Sequence, residues 1–322
     1  MCLENTTARP ADPSRKTVLP MTARAVHDGF DLFILRSSGV ELAVAPALGA
    51  KMVFLKNLHT GREWLWHPAS GLKLFPNQPD EDFSLSPLIG WDECLPTIAP
   101  CTWKGRAFPD HGEAWNLAWN LDAAGWERGV LRTSVRLPVS AFHFTRTLEL
   151  IGSTIAVEYV LENPTPVAQE FIWAAHPLLA LHEGDRLDLT EETRLQLNGD
   201  SWLESLEFKA GSPGCAKLYA GPLRQGRAGV FNSRTGDRLT FEWDTSECDA
   251  LGLWLTRGGW HGHHHLAIEP ANGAADSLTV AASQGKRCGV VPPHGRKTWH
   301  MQVRVEPSTG HPASRFAPTR SA

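Results

Sequence analysis

The segment FHFTRTLELIGSTIAVEYVLE, residues Phe142–Glu162, carries the clearest structural pattern in the 322-residue chain. Apolar side chains recur at every second position on both sides of the short sequence GST. They are Phe142, Phe144, Leu148 and Leu150 before it, and Ile155, Val157, Tyr159 and Leu161 after it. Because side chains alternate between the two faces of a β-strand, this pattern predicts two antiparallel strands that share one buried face.

Other segments predict strands of related kinds. KTWHMQVRVEP, near the C-terminus, alternates in the same way, whereas FIWAAHPLLAL is apolar almost throughout, which is typical of a strand buried on both faces. No segment shows the sustained 3.6-residue apolar period of an amphipathic helix. The sequence therefore predicts an all-β fold, a large antiparallel sandwich in one domain over residues 24–306. Residues 1–23 are predicted to be a disordered leader and residues 307–322 a flexible tail.

Composition excludes several classes of function. The net charge is −4, and no run of lysine or arginine is present, so we expect no nucleic-acid partner. The longest apolar runs have the length of strands, well short of the roughly 20 residues that span a bilayer, so we expect no membrane partner. The six cysteines show no CxxC spacing, and no secretory signal is recognisable, which favours reduced thiols and a cytoplasmic location.

Two loop-rich stretches, residues 67–120 and 257–277, interrupt the strands, and long loops on a rigid sheet often carry binding residues. Three polar residues stand out along the chain in apolar or tightly turned settings: His111 in PDHGEAW, His176 in WAAHPLLAL and Glu269 in LAIEPANG. Taken alone, His176 is better interpreted as a hydrogen-bonded core histidine. For Glu269 the alternative is an ion pair with a nearby histidine. Partial burial at a strand end would raise the pKa of Glu269 towards the range of a general base.

These segments together resemble the galactose mutarotase-like family, the aldose 1-epimerases. The resemblance covers nearly the whole domain, beginning with ELAVAPALGAKMVFLKNLHTGREWLW and continuing through GWDECLPTIAP, PDHGEAW and WAAHPLLAL. It ends with LAIEPANGAADSL and KTWHMQVRV. In this chain the first histidine precedes Gly112-Glu113 instead of Gly-Gly, and the second follows Ala175 instead of an asparagine. The resemblance therefore indicates a divergent branch.

The resemblance implies a β-supersandwich with a small-molecule sugar bound in a cleft on one curved sheet. Glu269 would be the catalytic base, His176 the acid and His111 a ligand near the ring oxygen. The base removes the O1 proton while the acid protonates O5, the ring opens, and it closes again on the other face. This chemistry needs no metal and no other cofactor, and we expect the protein to act as a monomer or homodimer.

A second group of residues is predicted to contact the sugar. Tryptophan suits this role because its flat apolar ring stacks on the C–H face of a sugar, and acidic side chains accept hydrogen bonds from hydroxyl groups. For each of them, a role in packing or in ordering a loop is an alternative. The predicted contacts are Trp91, Asp92, Glu93, Arg106, Trp115 and Trp254.

The sequence HGHHH, residues 261–265, offers four imidazoles that could bind a metal. Alternate residues of a strand share a face, so His261, His263 and His265 could converge. However, zinc sites usually add a cysteine or carboxylate at a definite spacing, and none is recognisable here. We therefore expect no metal, with one histidine contacting sugar or orienting Glu269.

Three other functions remain open at the level of sequence. A sugar-binding or sensing module could keep the fold without turnover. A hexose-6-phosphate epimerase would need basic residues around the cleft, for which Lys104, Arg106 and Arg257 are candidates. A glycoside hydrolase or lyase would need a second carboxylate roughly 5–10 Å from Glu269. That carboxylate could come from Asp92, Glu93 or Glu113.

Overall fold

The computed structural model describes residues 19–78, 82–197, 203, 206 and 212–306. In chain order the strands are β1 (Met21–His27), β2 (Phe30–Arg36), β3 (Val40–Ala45), β4 (Lys51–Asn57), β5 (Trp91–Cys94), β6 (Cys101–Trp103), β7 (Arg106–Phe108), β8 (Asn120–Leu121), β9 (Val130–Arg136), β10 (His143–Ile151), β11 (Thr154–Glu162), β12 (Gln169–Phe171), β13 (Ala174–Ala180), β14 (Asp185–Leu189), β15 (Gly214–Ala220), β16 (Gly226–Asn232), β17 (Arg238–Trp243), β18 (Ala250–Arg257), β19 (His264–Ala271), β20 (Gly289–Val291) and β21 (Arg296–Glu306). The helices are a 3₁₀ turn (Phe83–Leu85), α1 (Ala123–Glu127), α2 (Glu191–Gln196) and α3 (Leu278–Ser283).

Two large sheets pack face to face and confirm the predicted all-β sandwich. One has nine strands in the order β1-β2-β3-β4-β5-β13-β19-β18-β15, and the other has eight in the order β14-β16-β17-β21-β11-β10-β9-β8. All of their pairings are antiparallel. Two small two-stranded sheets, β6-β7 and β12-β20, complete the described strands. The fold is that of a β-supersandwich.

The alternating segment Phe142–Glu162 contains strands β10 and β11 of the eight-stranded sheet. Phe144 pairs with Leu161 and Leu148 with Val157, so the alternating apolar residues share one face. That face is buried against the nine-stranded sheet, and removing a side chain of this size from water stabilises the fold by about 1.5–3 kcal/mol. The polar residues that alternate with them face away from the core, whereas Arg146 shares the inward face and pairs with Glu93.

The ends of the predicted domain differ slightly from the sequence expectation. Strand β1 begins at Met21, inside the range predicted as a leader, because residues 21–27 pair along their whole length with β2. Residues 1–18 and the predicted tail, 307–322, lie outside the described residues. Among the described residues, no helix has the length and apolarity needed to cross a membrane.

Candidate active site

A cavity of about 410 Å³ opens on the face of the nine-stranded sheet that points away from the other sheet. The five strands β5, β13, β19, β18 and β15 form its floor. Loops that follow β4 and β7, together with the loop between β18 and β19, form its walls. Both predicted histidines, His111 and His176, line this cavity, together with Lys217, Trp254 and Asp276.

Strand register explains why distant residues meet beneath the cavity. His176 pairs with Asp92 on β5, and Glu269 pairs with Gly252 on β18. The pairs Ala174–Ala271 and Leu178–Ala267 place His176 directly opposite Glu269 across β13 and β19. Because residues opposite each other in an antiparallel sheet point to the same face, Asp92, His176 and Glu269 form one row. We call this row, which Gly252 and Tyr219 extend, the central row.

Glu269 is fully buried and holds the middle of the central row. Lys217 donates a hydrogen bond to its Oε2, while its Oε1 lies 3.7 Å from Nε2 of His176 and has no hydrogen-bond partner in the protein. The glycine opposite it leaves room for this position of the carboxylate, because a Cβ on Gly252 would lie 2.7 Å from Glu269 Oε2. The carboxylate therefore has one oxygen bound by a cation and one oxygen free to accept a proton.

His176 is buried between charged and aromatic neighbours. Burial is the largest cause that lowers its pKa well below the usual value, and the nearby charges of His111 and Lys217 add to it. Its Nδ1 has no hydrogen-bond partner in the protein. His176 is thus neutral near pH 7, and its ring is oriented by packing against Phe83 and His111.

His111 lies on a tight loop, and its ring contacts that of His176. Its φ of 57° lies in the left-handed region, and its N–H donates to the carbonyl oxygen of Ile98 at 2.5 Å. The ring stacks on Phe83 with centroids 3.9 Å apart and meets the His176 ring edge to face at 5.0 Å. Its Nδ1 lies 3.0 Å from Oδ1 of Asp110. The structure therefore brings His111, His176 and Glu269 together.

Solved structures of the same architecture cover nearly the whole chain. The Slr1438 protein of Synechocystis sp. PCC 6803 matches with a TM-score of 0.65 at 17% identity, covering 93% of this chain and all of that one. A galactose mutarotase-like protein from Clostridium acetobutylicum matches with a TM-score of 0.66 at 14% identity, covering 90% and 99%. The fold is galactose mutarotase-like. No model of a known protein family and no curated protein matches the sequence significantly.

A third solved structure shares the fold at still lower sequence identity. A galactose mutarotase related enzyme from Lactobacillus acidophilus has a TM-score of 0.59 at 12% identity, covering 90% of this chain and 98% of its own. At identities this low, the likeness establishes the mutarotase-like fold and leaves the chemistry to be argued from the side chains of this chain.

Within this mutarotase-like fold, two of the six predicted sugar contacts lie on the cavity side of the sheet. Trp254 lines the cavity directly. Asp92 lies beneath it in the central row, where it accepts a hydrogen bond from Lys51. Burial raises the pKa of Asp92, and the charge of Lys51 opposes that increase. Asp92 is therefore part of the buried support of the site.

The structure corrects the expectation for Trp91 and Glu93. They alternate with Asp92 on β5, so they point to the opposite face, into the core between the sheets. Trp91 packs against Phe241 of β17 at 5.8 Å between ring centroids. Glu93 accepts hydrogen bonds from Arg146, and also from Tyr159 and Trp173. Neither residue lines the cavity, because a shift of one residue along a strand reverses the face.

Trp115 and Arg106 also lie away from the cavity. The Trp115 indole is fully buried behind Phe83, and its Nε1 donates to the carbonyl oxygen of Asp110 at 2.8 Å. Arg106 lies on β7, where its guanidinium donates to Gln169 at 2.5 Å. Both residues hold loops in place and do not line the cavity.

Sequence reasoning did not find Lys217, Phe83 or the pair formed by Tyr219 and Asp276. Lys217 lies 52 positions before Glu269, and only the pairing of β15 with β18 brings it to this face. Tyr219 Oη donates to Asp276 Oδ1 at 2.5 Å, which fixes the loop after β19 against the floor. A lone lysine in GCAKLYA carries no motif that would predict this role.

The four histidines of residues 261–265 lie at the far end of the cavity from His111. The rings of His263 and His265 are 6.0 Å apart, and Trp66 and Trp260 pack among them. Over the part of the chain that the structure describes, no group of three or more possible ligands has a geometry suited to a metal ion. His261 and His265 line the cavity beside Trp260, whereas His264 alternates with His265 on β19 and faces the opposite side of the sheet.

Proposed function

We propose that the protein is an aldose 1-epimerase, an isomerase of carbohydrate metabolism that interconverts the α and β anomers of an aldose. The observation that carries the proposal is the convergence of Glu269, His176 and His111 at one end of a single cavity. Carboxylate and imidazole supply the base and acid that ring opening needs. The mutarotase-like fold supports the same conclusion.

Glu269 is the proposed base, acting through Oε1. The residue itself lies one layer below the cavity, between His176 and Lys217, which both line it. A sugar that enters between these two side chains brings its O1 hydroxyl to the carboxylate. The O1 proton passes to Glu269, the C1–O5 bond breaks, and C1 becomes an aldehyde carbon.

His176 is the proposed acid. Its imidazolium form gives a proton to O5 as the C1–O5 bond breaks. After rotation about C1–C2, the neutral ring takes that proton back as O5 attacks C1, and Glu269 returns its proton to O1. Protons therefore balance over a full cycle. The lowered pKa of His176 makes the imidazolium a strong acid that is scarce at neutral pH. The ionised Glu269, 3.7 Å away, compensates its charge when it forms.

The charge of the cavity favours a neutral sugar over a sugar phosphate. Among the described residues, its lining has three carboxylates, Asp82, Asp110 and Asp276, and one lysine, Lys217. This potential repels a phosphate dianion. The basic residues considered for a phosphate lie elsewhere: Lys104 pairs with Glu170, Arg106 binds Gln169, and Arg257 does not line the cavity.

The carboxylates considered for glycoside hydrolysis are bound elsewhere. Asp92 is engaged by Lys51, and Glu93 faces the core. Glu113 accepts backbone hydrogen bonds from Val139 and Ser140. Because other groups of the protein engage all three, none of them is placed to act with Glu269 as the second carboxylate of a hydrolase, and ring opening is the better supported reaction.

The test is anomer exchange by the purified wild-type protein, measured by NMR on a panel of aldoses and hexose 6-phosphates. We expect exchange of at least one neutral aldose to be faster than in buffer alone, and little or no effect on the phosphates. If neutral sugars shift protein resonances but no exchange is accelerated, the protein is a sugar-binding module. Faster exchange of phosphates alone would contradict the proposed substrate class.

A further inference from the structure

The floor of the cavity extends well beyond the central row. Parallel to that row on the same sheet face lies a second row, which contains Ala267, Trp254 and Lys217, and then a third, which contains His265 and Thr256. His265 lies four residues from Glu269 along β19. At about 3.3 Å per residue, this separation is roughly 13 Å, longer than one pyranose ring.

One continuous cavity covers all three rows. His111 and His176 line it at the end near Glu269, and Trp260, His261 and His265 line it at the other end. Trp254 lies between the two ends, in the second row. A single pyranose ring over Glu269 and His176 would leave the far end unfilled.

Aromatic rings form the wall of the far end. The rings of Trp254 and Trp260 are perpendicular, with centroids 6.0 Å apart, and His261 packs edge to face on Trp260 at 4.5 Å. Trp66 contacts His265 at 5.1 Å from behind. Flat indole rings offer apolar area that suits the C–H face of a sugar.

His265 supplies a polar group at this end. The residue is 1% exposed and lines the cavity, yet neither ring nitrogen has a hydrogen-bond partner in the protein. Leaving two buried polar atoms unpaired costs free energy that a bound hydroxyl would recover. A neutral imidazole has one donor and one acceptor on opposite sides of the ring, and separate hydroxyl groups of a sugar can pair with each. Burial lowers the pKa of His265 to about 3, so the neutral form prevails at physiological pH.

We propose that the far end of the cavity is a second sugar subsite, formed by Trp254, Trp260 and His265. The inference rests on the proposed function and names its substrate class: the reducing end of a disaccharide or longer saccharide. The reducing ring lies over Glu269 and His176, while the next ring packs on Trp260 and hydrogen-bonds to His265.

The test compares each disaccharide with its own reducing-end monosaccharide, using maltose and cellobiose against glucose. For anomer exchange by the wild type, we expect kcat/KM at least tenfold higher for one of the disaccharides. Trp260→Ala and His265→Ala should bring this ratio close to one. The control His300→Ala, in an exposed residue of β21 on the other sheet, should keep the wild-type ratio. A wild-type ratio near one, or a ratio that survives Trp260→Ala, would overturn the subsite and leave the proposed function intact.

Binding tests the same inference without turnover. Calorimetric titration of the wild type with maltose, cellobiose and glucose should give a Kd at least tenfold lower for a disaccharide, and Trp260→Ala should remove the difference. Equal Kd values would overturn the subsite even in a protein that accelerates exchange. Tight disaccharide binding with no acceleration of any sugar would instead contradict the proposed function and keep the subsite.

Discussion

One cation contacts the buried carboxyl group of Glu269. The side chain is fully buried, and Lys217 is the cation that hydrogen-bonds to it. Taking a carboxylate out of water costs several kcal/mol unless a partner compensates it. Lys217 is itself partly exposed to the cavity, so it can compensate Glu269 and meet the sugar.

Lys217→Met should therefore lower the rate of anomer exchange by at least about tenfold, because the buried carboxylate loses its compensating charge. Lys217→Arg, which keeps a cation, should retain more activity than Lys217→Met. Both rates are measured by NMR exchange, with circular dichroism to confirm folding. Equal activity in the wild type and a folded Lys217→Met protein would show that the pair has no role in the reaction.

His265, which lines the cavity, is expected to make the free energy of unfolding depend on pH. Its pKa is lowered to about 3 by burial, assisted by the charges of His263 and His264, against an ordinary value of 6.5. Below pH 6.5 the unfolded chain binds a proton that the folded chain does not, so stability falls as the pH decreases from 6.5 towards 3. The slope from one such histidine is at most about 1.4 kcal/mol per pH unit.

In His265→Asn, the free energy of unfolding should depend less steeply on pH between about 6 and 4 than in the wild type. Urea unfolding at several pH values measures this slope, and His300→Asn serves as the control. Glu63 has the opposite sign, because burial raises its pKa to about 7 and its contribution is lost as the pH rises from 4.5. Glu63 is present in every variant, so its contribution cancels when the pH slopes of the variants are compared. Identical slopes would mean that His265 is accessible to protons in the folded state.

At the scale of the element, strand β18 leaves space for the Glu269 carboxylate, the proposed base. A Cβ at Gly252 would lie 2.7 Å from Glu269 Oε2 and 3.2 Å from Cε1 of Tyr219. The nearest atom is the end of a side chain, so the side chain can move aside. The glycine thus matters for the position of Glu269 more than for the strand itself.

Gly252→Ala should lower anomer exchange by at least about tenfold while changing the free energy of unfolding by about 1 kcal/mol or less. Exchange rate and urea unfolding, measured on the same preparation, separate the two effects. Wild-type activity in this variant would show that Glu269 needs no fixed position. A large loss of stability with the activity loss would assign the glycine a structural role instead.

The sequence predicted strands more reliably than it predicted which face each residue occupies. In β10 and β11 the alternation of polar and apolar residues identifies the buried face directly. In GWDEC all four strand residues are buried, so polarity gives no such signal, and Trp91 and Glu93 were assigned to the wrong face. Lys217 escaped prediction because its contact with Glu269 depends on the register between strands that are distant in sequence.

At the scale of the whole molecule, a buried ion pair joins the two sheets. Arg146 of β10 donates to Glu93 of β5 at 2.8 Å, and both side chains are essentially unexposed. Burial raises the pKa of Glu93, while the charge of Arg146 and hydrogen bonds from three side chains oppose that increase. Removing one partner leaves an uncompensated charge between the sheets.

Arg146→Met should lower the free energy of unfolding by about 3–5 kcal/mol. Arg304→Met removes a surface pair with Glu242, in which both side chains are more than one third exposed, and should cost about 1 kcal/mol or less. Urea unfolding compares the two variants with the wild type. Similar losses in both would show that the pair between the sheets contributes no more than a surface contact.

The family resemblance predicted the overall architecture and named the three central residues. The shape of the cavity could not be predicted in this way, because it depends on how loops pack against the sheet. The aromatic wall around His265 is made by a loop whose histidines, in sequence, suggested metal ligands as readily as sugar contacts. In the folded chain the rings of His263 and His265 lie 6.0 Å apart, with Trp66 and Trp260 packed against them. This packing between residues distant in sequence has no signal in the sequence itself.

The proposed reaction depends on a buried carboxylate, that of Glu269, which takes a proton from a sugar hydroxyl. The most direct measurement is the rate of anomer exchange of the best neutral aldose, compared between the wild type and Glu269→Gln at equal concentration. The amide keeps the size of the side chain but cannot accept the proton, so we expect a loss of about 10²–10⁴-fold in a protein that still folds. A folded Glu269→Gln protein that exchanges anomers at the wild-type rate would contradict the central claim.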